Sequence, residues 1–366
     1  MKTIQAFKKQ VRSIILCGAI ALGAVGTLSA QWSEAPVSGV TEAISPRHGA
    51  TDTVWNVFWC GSAASRLYSV QYAGSGFHAA IVATNFLDIT NNLAVDSDYH
   101  WTYYTGTDGY IWLVYWGGSG WLTARVGTNV KYGYQLCVDP VYHLLWYVGN
   151  DNKLWVLYNN GVSWVESVID GGNDRYRFNR SSGVDEGYHW VWNLSSDQKS
   201  LRFTYYNGTA WVSGTTPALP GTDLYQNLCV HGPTHQVYCL QSTSGFVPTQ
   251  VQSLYWTASG WAGGAVFKDG NLPTSAFASS DYLICSPDSY ACYLGDAANG
   301  GNANQKRCLF TGWSPTARAW ATCRQDQPTW GGGFGLFPLT VGYGGRVVLC
   351  TPGNSAAGLK CMVSPY

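Results

Sequence analysis

Between Tyr142 and Trp164 the chain reads YHLLWYVGNDNKLWVLYNNGVSW. An apolar run, LLWYV, meets the turn residues GNDN. A second run, LWVLY, meets NNG, and a tryptophan then opens a third segment. Asn, Asp and Gly tolerate positive φ, so each polar cluster reads as a hairpin turn between short strands. The same grammar runs from Tyr99 to Trp121 and again from Tyr188 to Trp211. A repeat of this kind restricts the fold more than any composition value does.

Two ladders of anchors set the period. Aromatics that open the last strand of each unit fall at Trp32, Phe77, Trp121, Trp164, Trp211, Trp261 and Trp320. Starts of the second strand fall at Asn56, His100, His143, His189, His235, Ala291 and Arg346. Seven anchors in each ladder imply seven units of four strands. In the second unit Ile111, Leu113 and Tyr115 point to one face, Trp112, Val114 and Trp116 to the other. A strand apolar on both faces belongs to a sheet sandwiched between two others. Radial stacking supplies that for every unit, so the pattern predicts an all-β, seven-bladed β-propeller of four-stranded antiparallel blades. A lone fourth-strand sequence from Trp32 to Val37 and an unpartnered third strand near 359–363 predict that the N-terminal strand completes the last blade. This closure removes the open sheet edges of an unclosed ring.

Residues 1–30 read as a secretory signal peptide. Lys2, Lys8, Lys9 and Arg12 precede an apolar run from Ile14 to Val25, and Leu28-Ser29-Ala30 offers a cleavage site. Residues 31–366 then form a single propeller domain, secreted to the periplasm or the exterior, and no other stretch is long and apolar enough to span a bilayer. The whole chain balances 21 basic against 21 acidic residues; without the four leader bases 17 remain, a net charge near −4. That balance argues against nucleic acid. Charged residues make up 11% of the chain, against roughly 25% in an average protein. With 18 Trp and 24 Tyr, the surface must use rings, hydroxyls and amides in place of ions, a composition suited to neutral polar ligands.

Ten cysteines remain beyond the leader, an even number that favours disulfides in an exported chain. Four pairs flank predicted turns: Cys229 with Cys239, Cys285 with Cys292, Cys308 with Cys323, and Cys350 with Cys361. Cys60 and Cys137 have no evident partner in the sequence.

Three sets of residues are candidates for chemistry. The recurrent D-x-x-x-H (Asp96/His100, Asp139/His143, Asp185/His189) offers a carboxylate beside an imidazole, but its recurrence marks a turn-capping device, since a catalytic site is normally unique. At the turn between second and third strands Asp108 precedes Trp112, Asp151 precedes Trp155 and Asp197 precedes Arg202. A carboxylate beside a planar group suits a sugar, whose hydroxyls bond the acid while its C–H face stacks on the ring; an ordinary hairpin turn with blade packing produces the same pattern. The third set is the connection from 168 to 183, where Arg175, Tyr176 and Arg177 could clamp a carboxylate or sulfate. Neither HExxH nor an EF-hand loop is present, so neither a metal nor a cofactor is expected.

Turns of the Asp-Gly or Asp-Asn type, followed by IW or LW and a G-x-W-like step, resemble the tectonin-type and fucose-binding β-propeller lectins. That resemblance spans about 32–363 and implies sugar sites in clefts between neighbouring blades. Fucose-type sites pair an Arg with a Glu beside an aromatic; this chain has four glutamates, Glu34, Glu42, Glu166 and Glu186, in no recurrent Arg/Glu pair, so no such set transfers. The expectation is a secreted carbohydrate-binding protein with several weak sites between blades, binding glycans or polysaccharides. The alternative is a secreted polysaccharide-degrading enzyme, a uronate lyase or glycosidase, with one site on the face carrying the long loops.

Overall fold

A computed structural model describes residues 33–169 apart from 41, 43, 53, 74–75 and 90–91, and residues 182–268 apart from 219–223 and 244–247; beyond these it describes the strands named below. Each unit is a meander of four antiparallel strands, a to d. Blade 1 comprises Ile44–Asp52, Val57–Ser62, Leu67–Tyr72 and Phe77–Ala83. Blade 2 comprises Leu93–Asp96, Trp101–Thr105, Ile111–Trp116 and Trp121–Arg125. Blade 3 has Tyr134–Asp139, Leu144–Val148, Leu154–Asn159 and Trp164–Val168. Blade 4 has Gly183–Asp185, Trp190–Leu194, Leu201–Tyr206 and Trp211–Thr215. Blade 5 follows with Leu224–His231, Gln236–Ser242, Pro248–Thr257 and Gly260–Lys268. Blade 6 is Tyr282–Cys285, Ala291–Asp296, Lys306–Ser314 and Ala319–Gln327.

Blade 7 draws on both ends of the described chain. Leu339–Val341, Val347–Pro352 and Leu359–Val363 supply its first three strands, and Ser33–Ser38 pairs antiparallel with the third, Ser33 opposite Val363 and Pro36 opposite Lys360. The same N-terminal strand also pairs in parallel with strand d of blade 1, Val37 opposite Phe77 and Ser38 opposite His78. Blades 7 and 1 are thereby fused into one eight-stranded sheet. The a strands of the seven blades lie beside one another in cyclic order, with that of blade 7 against that of blade 1. Closure by the N-terminal strand is therefore the architecture seen.

Apolar residues on both faces of strand c go where the pattern requires. Ile111 and Leu113 join Leu145, Tyr147 and Leu157 in a core between blades 2 and 3. Val114 joins Trp59, Leu67 and Tyr104 in a second core between blades 1 and 2, with Trp112 packed against it. Blade 3 repeats the division, sending Leu154 and Val156 to a third core with Val191 of blade 4. The aromatic ladder has a single geometric meaning. The tryptophan opening strand d lies edge-on against the b-strand aromatic of the preceding blade: Trp121 on Trp59 at 4.8 Å, Trp164 on Tyr103 at 6.2 Å, Trp211 on Trp146 at 4.8 Å and Trp261 on Trp192 at 5.3 Å between ring centroids. Edge-to-face contact is the preferred packing of large rings, so this one position fastens successive blades.

Cysteine register separates the four expected pairs. Cys229 lies opposite Tyr238 and Cys239 opposite Leu228, so these two cysteines point to opposite faces of blade 5 and are not joined; this corrects the expectation. The cause is the turn Gly232–Thr234, which sets His231 opposite Gln236 and shifts the pairing by one residue. Cys285 is directly opposite Cys292, and Cys350 directly opposite Cys361, the backbone placement that a cross-strand bridge needs. Cys308 and Cys323 sit diagonally, Cys308 opposite Gln325 and Cys323 opposite Phe310. Cys60 and Cys137 belong to different blades, Cys60 in the core of blade 1 and Cys137 against that shared by blades 3 and 4.

Among the described residues no helix is long and apolar enough to cross a membrane.

Candidate functional site

In an a–b–c–d meander the a–b and c–d turns share one face of the ring. On that face the D-x-x-x-H element acquires a partner that lies outside the motif. Each aspartate caps its own turn: Asp52 accepts the N–H groups of Val54 and Trp55, Asp96 those of Asp98 and Tyr99, Asp139 those of Val141 and Tyr142, and Asp185 those of Gly187 and Tyr188. Its second contact is the histidine of the next blade. Nδ1 of His100 lies 2.8 Å from Asp52, His143 2.8 Å from Asp96, His189 2.8 Å from Asp139 and His235 2.9 Å from Asp185. All four carboxylates are at most 2% exposed. The structural reading of the motif holds, but the imidazole serves the preceding blade, not its own turn.

Backbone conformation explains the reach. His100, His143, His189 and His235 adopt left-handed φ values of 54–57°, uncommon for non-glycine residues. Asn56 has φ 55° at the same place in blade 1. The residues before Asn56, His100, His143 and His189 are aromatic, and each packs on the histidine of the following blade: Trp55 on His100 at 3.8 Å, Tyr99 on His143 at 3.7 Å and Tyr188 on His235 at 3.7 Å are stacked, and Tyr142 on His189 is tilted at 4.1 Å. Every imidazole is thus held by a carboxylate at one edge and a ring on one face. Burial raises the Asp96 carboxyl above its ordinary value, while the hydrogen bond and charge of His143 and the turn N–H groups pull it back.

These four stacking rings are 40–59% exposed. A second series stands beside them at the ends of the c strands: Tyr72, Trp116, Tyr206 and Trp256, all exposed and each leaning on the aromatic that opens strand d. Between blades 1 and 2 the two series meet, with Trp55 6.5 Å from Trp116 and 6.0 Å from Trp121. Blade 3 breaks the series with Asn159, opposite Trp164 in the hairpin. One face of the ring therefore carries an arc of exposed aromatics across four successive blade junctions. Sequence reading missed this arc because it followed the polar ends of D-x-x-x-H; the signal was the Trp or Tyr directly before Asn56, His100, His143 and His189.

The residues chosen at the b–c turns lie on the opposite face and serve one another. Asp108 accepts the indole N–H of Trp112 at 3.1 Å and the N–H of Tyr110. Asp151 accepts that of Trp155 at 3.1 Å, and Lys131 both bridges to Asp151 at 3.1 Å and sits over the Trp155 ring. Asp197 takes the Ser195 hydroxyl and the Lys199 N–H, whereas Arg202 is buried in its strand. Arg175, Tyr176 and Arg177 lie outside the described residues.

Burial opposes ionisation of Asp151, yet the bonds from Trp155, Lys131 and Lys153 together outweigh it and hold the carboxyl below its ordinary value. A carboxyl depressed in the folded state stabilises above its unfolded pKa of about 3.9, and that contribution is lost as pH falls through the folded value. Acid titration should therefore change the Trp155 emission below about pH 4, and Asp151→Asn should remove that step. An unchanged titration in Asp151→Asn would show that the carboxylate does not hold the indole.

Fold and site together define a β-propeller, seven-bladed, with four-stranded blades and a repeated aromatic–histidine–aspartate clasp at its junctions. Neither a protein-family profile nor a curated protein matches the chain. Among solved structures it is similar to YCF48 bound to D1 peptide, a β-propeller, at 11% identity and a TM-score of 0.52, over 93% of this chain and 97% of that one. At that identity the likeness concerns the fold.

Proposed function

We propose that this is an exported carbohydrate-binding propeller whose weak sites repeat at the blade junctions, on the face of the a–b and c–d turns. The observation that carries the reading is the exposed ring over each clasp, at Trp55, Tyr99, Tyr142 and Tyr188. A ring backed by a packed imidazole, stacked at Trp55, Tyr99 and Tyr188 and tilted at Tyr142, offers the C–H face of a sugar a platform with little conformational entropy to lose. Several such platforms on one disc gain affinity for a polymer through multivalency. The low charge of the chain matches neutral ligands.

A polysaccharide-degrading alternative draws less support. Its clamp, Arg175 to Arg177, is outside the described residues. A glycosidase needs two carboxyl groups free to act on the glycosidic bond. Glu42 is already committed to Ser62, Tyr68 and Arg66, and Glu166 to Thr128, Asn129 and Tyr147. The peptide held by YCF48 is a property of that protein and motivates nothing further at this identity.

Glycan arrays followed by calorimetry test the proposal. Multivalent neutral polysaccharides should bind more tightly than their monosaccharides, and Tyr142→Ala should weaken polymer binding several-fold without abolishing it. No binding by a folded protein to any glycan would end the carbohydrate reading; unsaturated products from uronate polymers would favour the lyase.

A further inference from the structure

In the first five blades the c–d hairpin sets one residue directly opposite the aromatic that opens strand d: Tyr72 with Phe77, Trp116 with Trp121, Asn159 with Trp164, Tyr206 with Trp211 and Trp256 with Trp261. Four of these partners are rings, and they lean on the strand-d aromatic at 5.0–5.3 Å between centroids. Blade 3 puts an amide in that place. Directly opposed side chains of an antiparallel pair share one face of the sheet, with Cβ atoms about 4.5–5.5 Å apart. Asn159 therefore stands beside Trp164 where a ring would otherwise lean, and the smaller side chain leaves open a part of Trp164 that its counterparts give to a neighbouring ring. Across the junction the aromatic surface runs on into blade 2, through Trp101 at 5.6 Å from Trp164 and Tyr99 at 4.7 Å from Trp101. The turn beyond Asn159 is tied down. Its Oδ1 accepts the N–H of Gly161 at 2.8 Å, and Asn160 Oδ1 accepts those of Val162 and Ser163. A backbone N–H only donates, so the first of these bonds identifies the amide oxygen of Asn159. Its Nδ2 keeps two N–H groups to donate, on an exposed side chain.

We propose that the junction of blades 2 and 3 is the selective saccharide site of the ring, with Nδ2 of Asn159 as its specificity-determining donor. The inference rests on the carbohydrate-binding reading above and narrows it. One sugar unit lies with its C–H face on the surface formed by Tyr99, Trp101 and Trp164. It offers Nδ2 an oxygen lone pair from a hydroxyl, the ring ether or an acetamido carbonyl. Ring surfaces alone discriminate poorly, because they accept any C–H face. A fixed donor beside them demands an oxygen at one position, and inverting a single hydroxyl takes that oxygen away. The other c–d hairpins named here set ring against ring and bring no amide to this position, so their junctions add avidity for a polymer without selecting its sugar. A single break in the aromatic series thus turns one of several equivalent platforms into the one that reads the ligand.

Calorimetry with cellotetraose, mannotetraose, xylotetraose and chitotetraose tests the site, together with NMR of the nitrogen-15-labelled protein. These probes are too short to bridge distant junctions, so avidity does not mask a single site. One of them should bind several-fold more tightly than the rest and shift the side-chain amide resonances of Asn159. Asn159→Asp keeps an oxygen for the Gly161 N–H but loses the donor, and it should lower affinity for that tetrasaccharide by tenfold or more. Asn160→Asp adds the same charge one residue away and still accepts its two turn N–H groups, so it should bind as wild type does. Tetrasaccharide binding with unmoved Asn159 amide resonances would overturn this inference and leave the carbohydrate reading standing, a result readable in wild type even if the aspartate variant fails to fold. Equal affinities for all four probes, or equal losses in the two aspartate variants, would overturn it as well. Absence of binding by every glycan would remove both readings.

Discussion

Asp139→Ala should destabilise the protein by about 3–5 kcal/mol, the range measured when one partner of a buried ionic or hydrogen-bonded pair is removed. The carboxylate is 1% exposed and has three donors: the N–H groups of Val141 and Tyr142, and Nδ1 of His189 in the next blade. Alanine leaves all three without an acceptor at the junction of blades 3 and 4, and Tyr142 loses the geometry that holds it over His189. Asparagine in its place should cost less, because one oxygen still caps the turn while its amide N–H group faces the Nδ1 proton. Urea denaturation measures both, and a double-mutant cycle with His189→Asn isolates the part owed to the pair. Substituting the exposed Asp98, two residues after the equivalent aspartate of blade 2, should leave the midpoint nearly unchanged. A midpoint for Asp139→Ala equal to wild type would refute the clasp as a stabilising element.

The clasp also marks how far a sequence can be read. Blade number, strand order and closure were legible because each follows from local periodicity: apolar residues on both faces of Ile111–Trp116 cannot be satisfied outside a stack of sheets. The His–Asp partnership was not legible in the same way. Spacing of four within D-x-x-x-H suggests a local pair, while the contacts join residues 47–50 apart. Only the left-handed backbone at His100, His143, His189 and His235, invisible in composition, turns each ring toward the preceding blade. The cysteines show the same limit at single-residue scale. Cys229 and Cys239 flank a turn as the other pairs do, but a one-residue shift in register sends them to opposite faces. At the b–c turns, Asp108 and Asp151 were seen correctly as neighbours of tryptophan. Their indole hydrogen bonds make them part of the hairpin, and the exposed rings that remain for a ligand stand on the other face.

Gly39→Ala should destabilise the ring well beyond the ordinary cost of placing alanine at a positive φ. Gly39 follows the N-terminal strand at φ 85°, where that strand pairs at once with the last blade and the first. A left-handed backbone costs an alanine about 1–2 kcal/mol by itself. Gly118 is the internal comparison: its φ is 92°, and an added Cβ there meets nothing within 4 Å. At Gly39 the same Cβ would lie 2.2 Å from the carbonyl oxygen of Ala79, in strand d of blade 1. Backbone cannot rotate aside as a side chain can, so the clasp strand must shift. The Val37–Phe77 and Ser38–His78 pairing and the Ser38–His78 hydrogen bond would be lost with it. Gly118→Ala should therefore show the conformational cost alone, and Gly39→Ala roughly 3 kcal/mol or more in total. Hydrogen exchange read by mass spectrometry separates the two causes. In Gly39→Ala protection should fall in Ser33–Ser38, Phe77–Ala83 and Leu359–Val363 but persist in Leu144–Val148, on blade 3, because opening an edge frees the strands that share it before those that do not. Equal effects of the two substitutions, with protection unchanged at the seam, would mean that the N-terminal strand does not hold the ring closed.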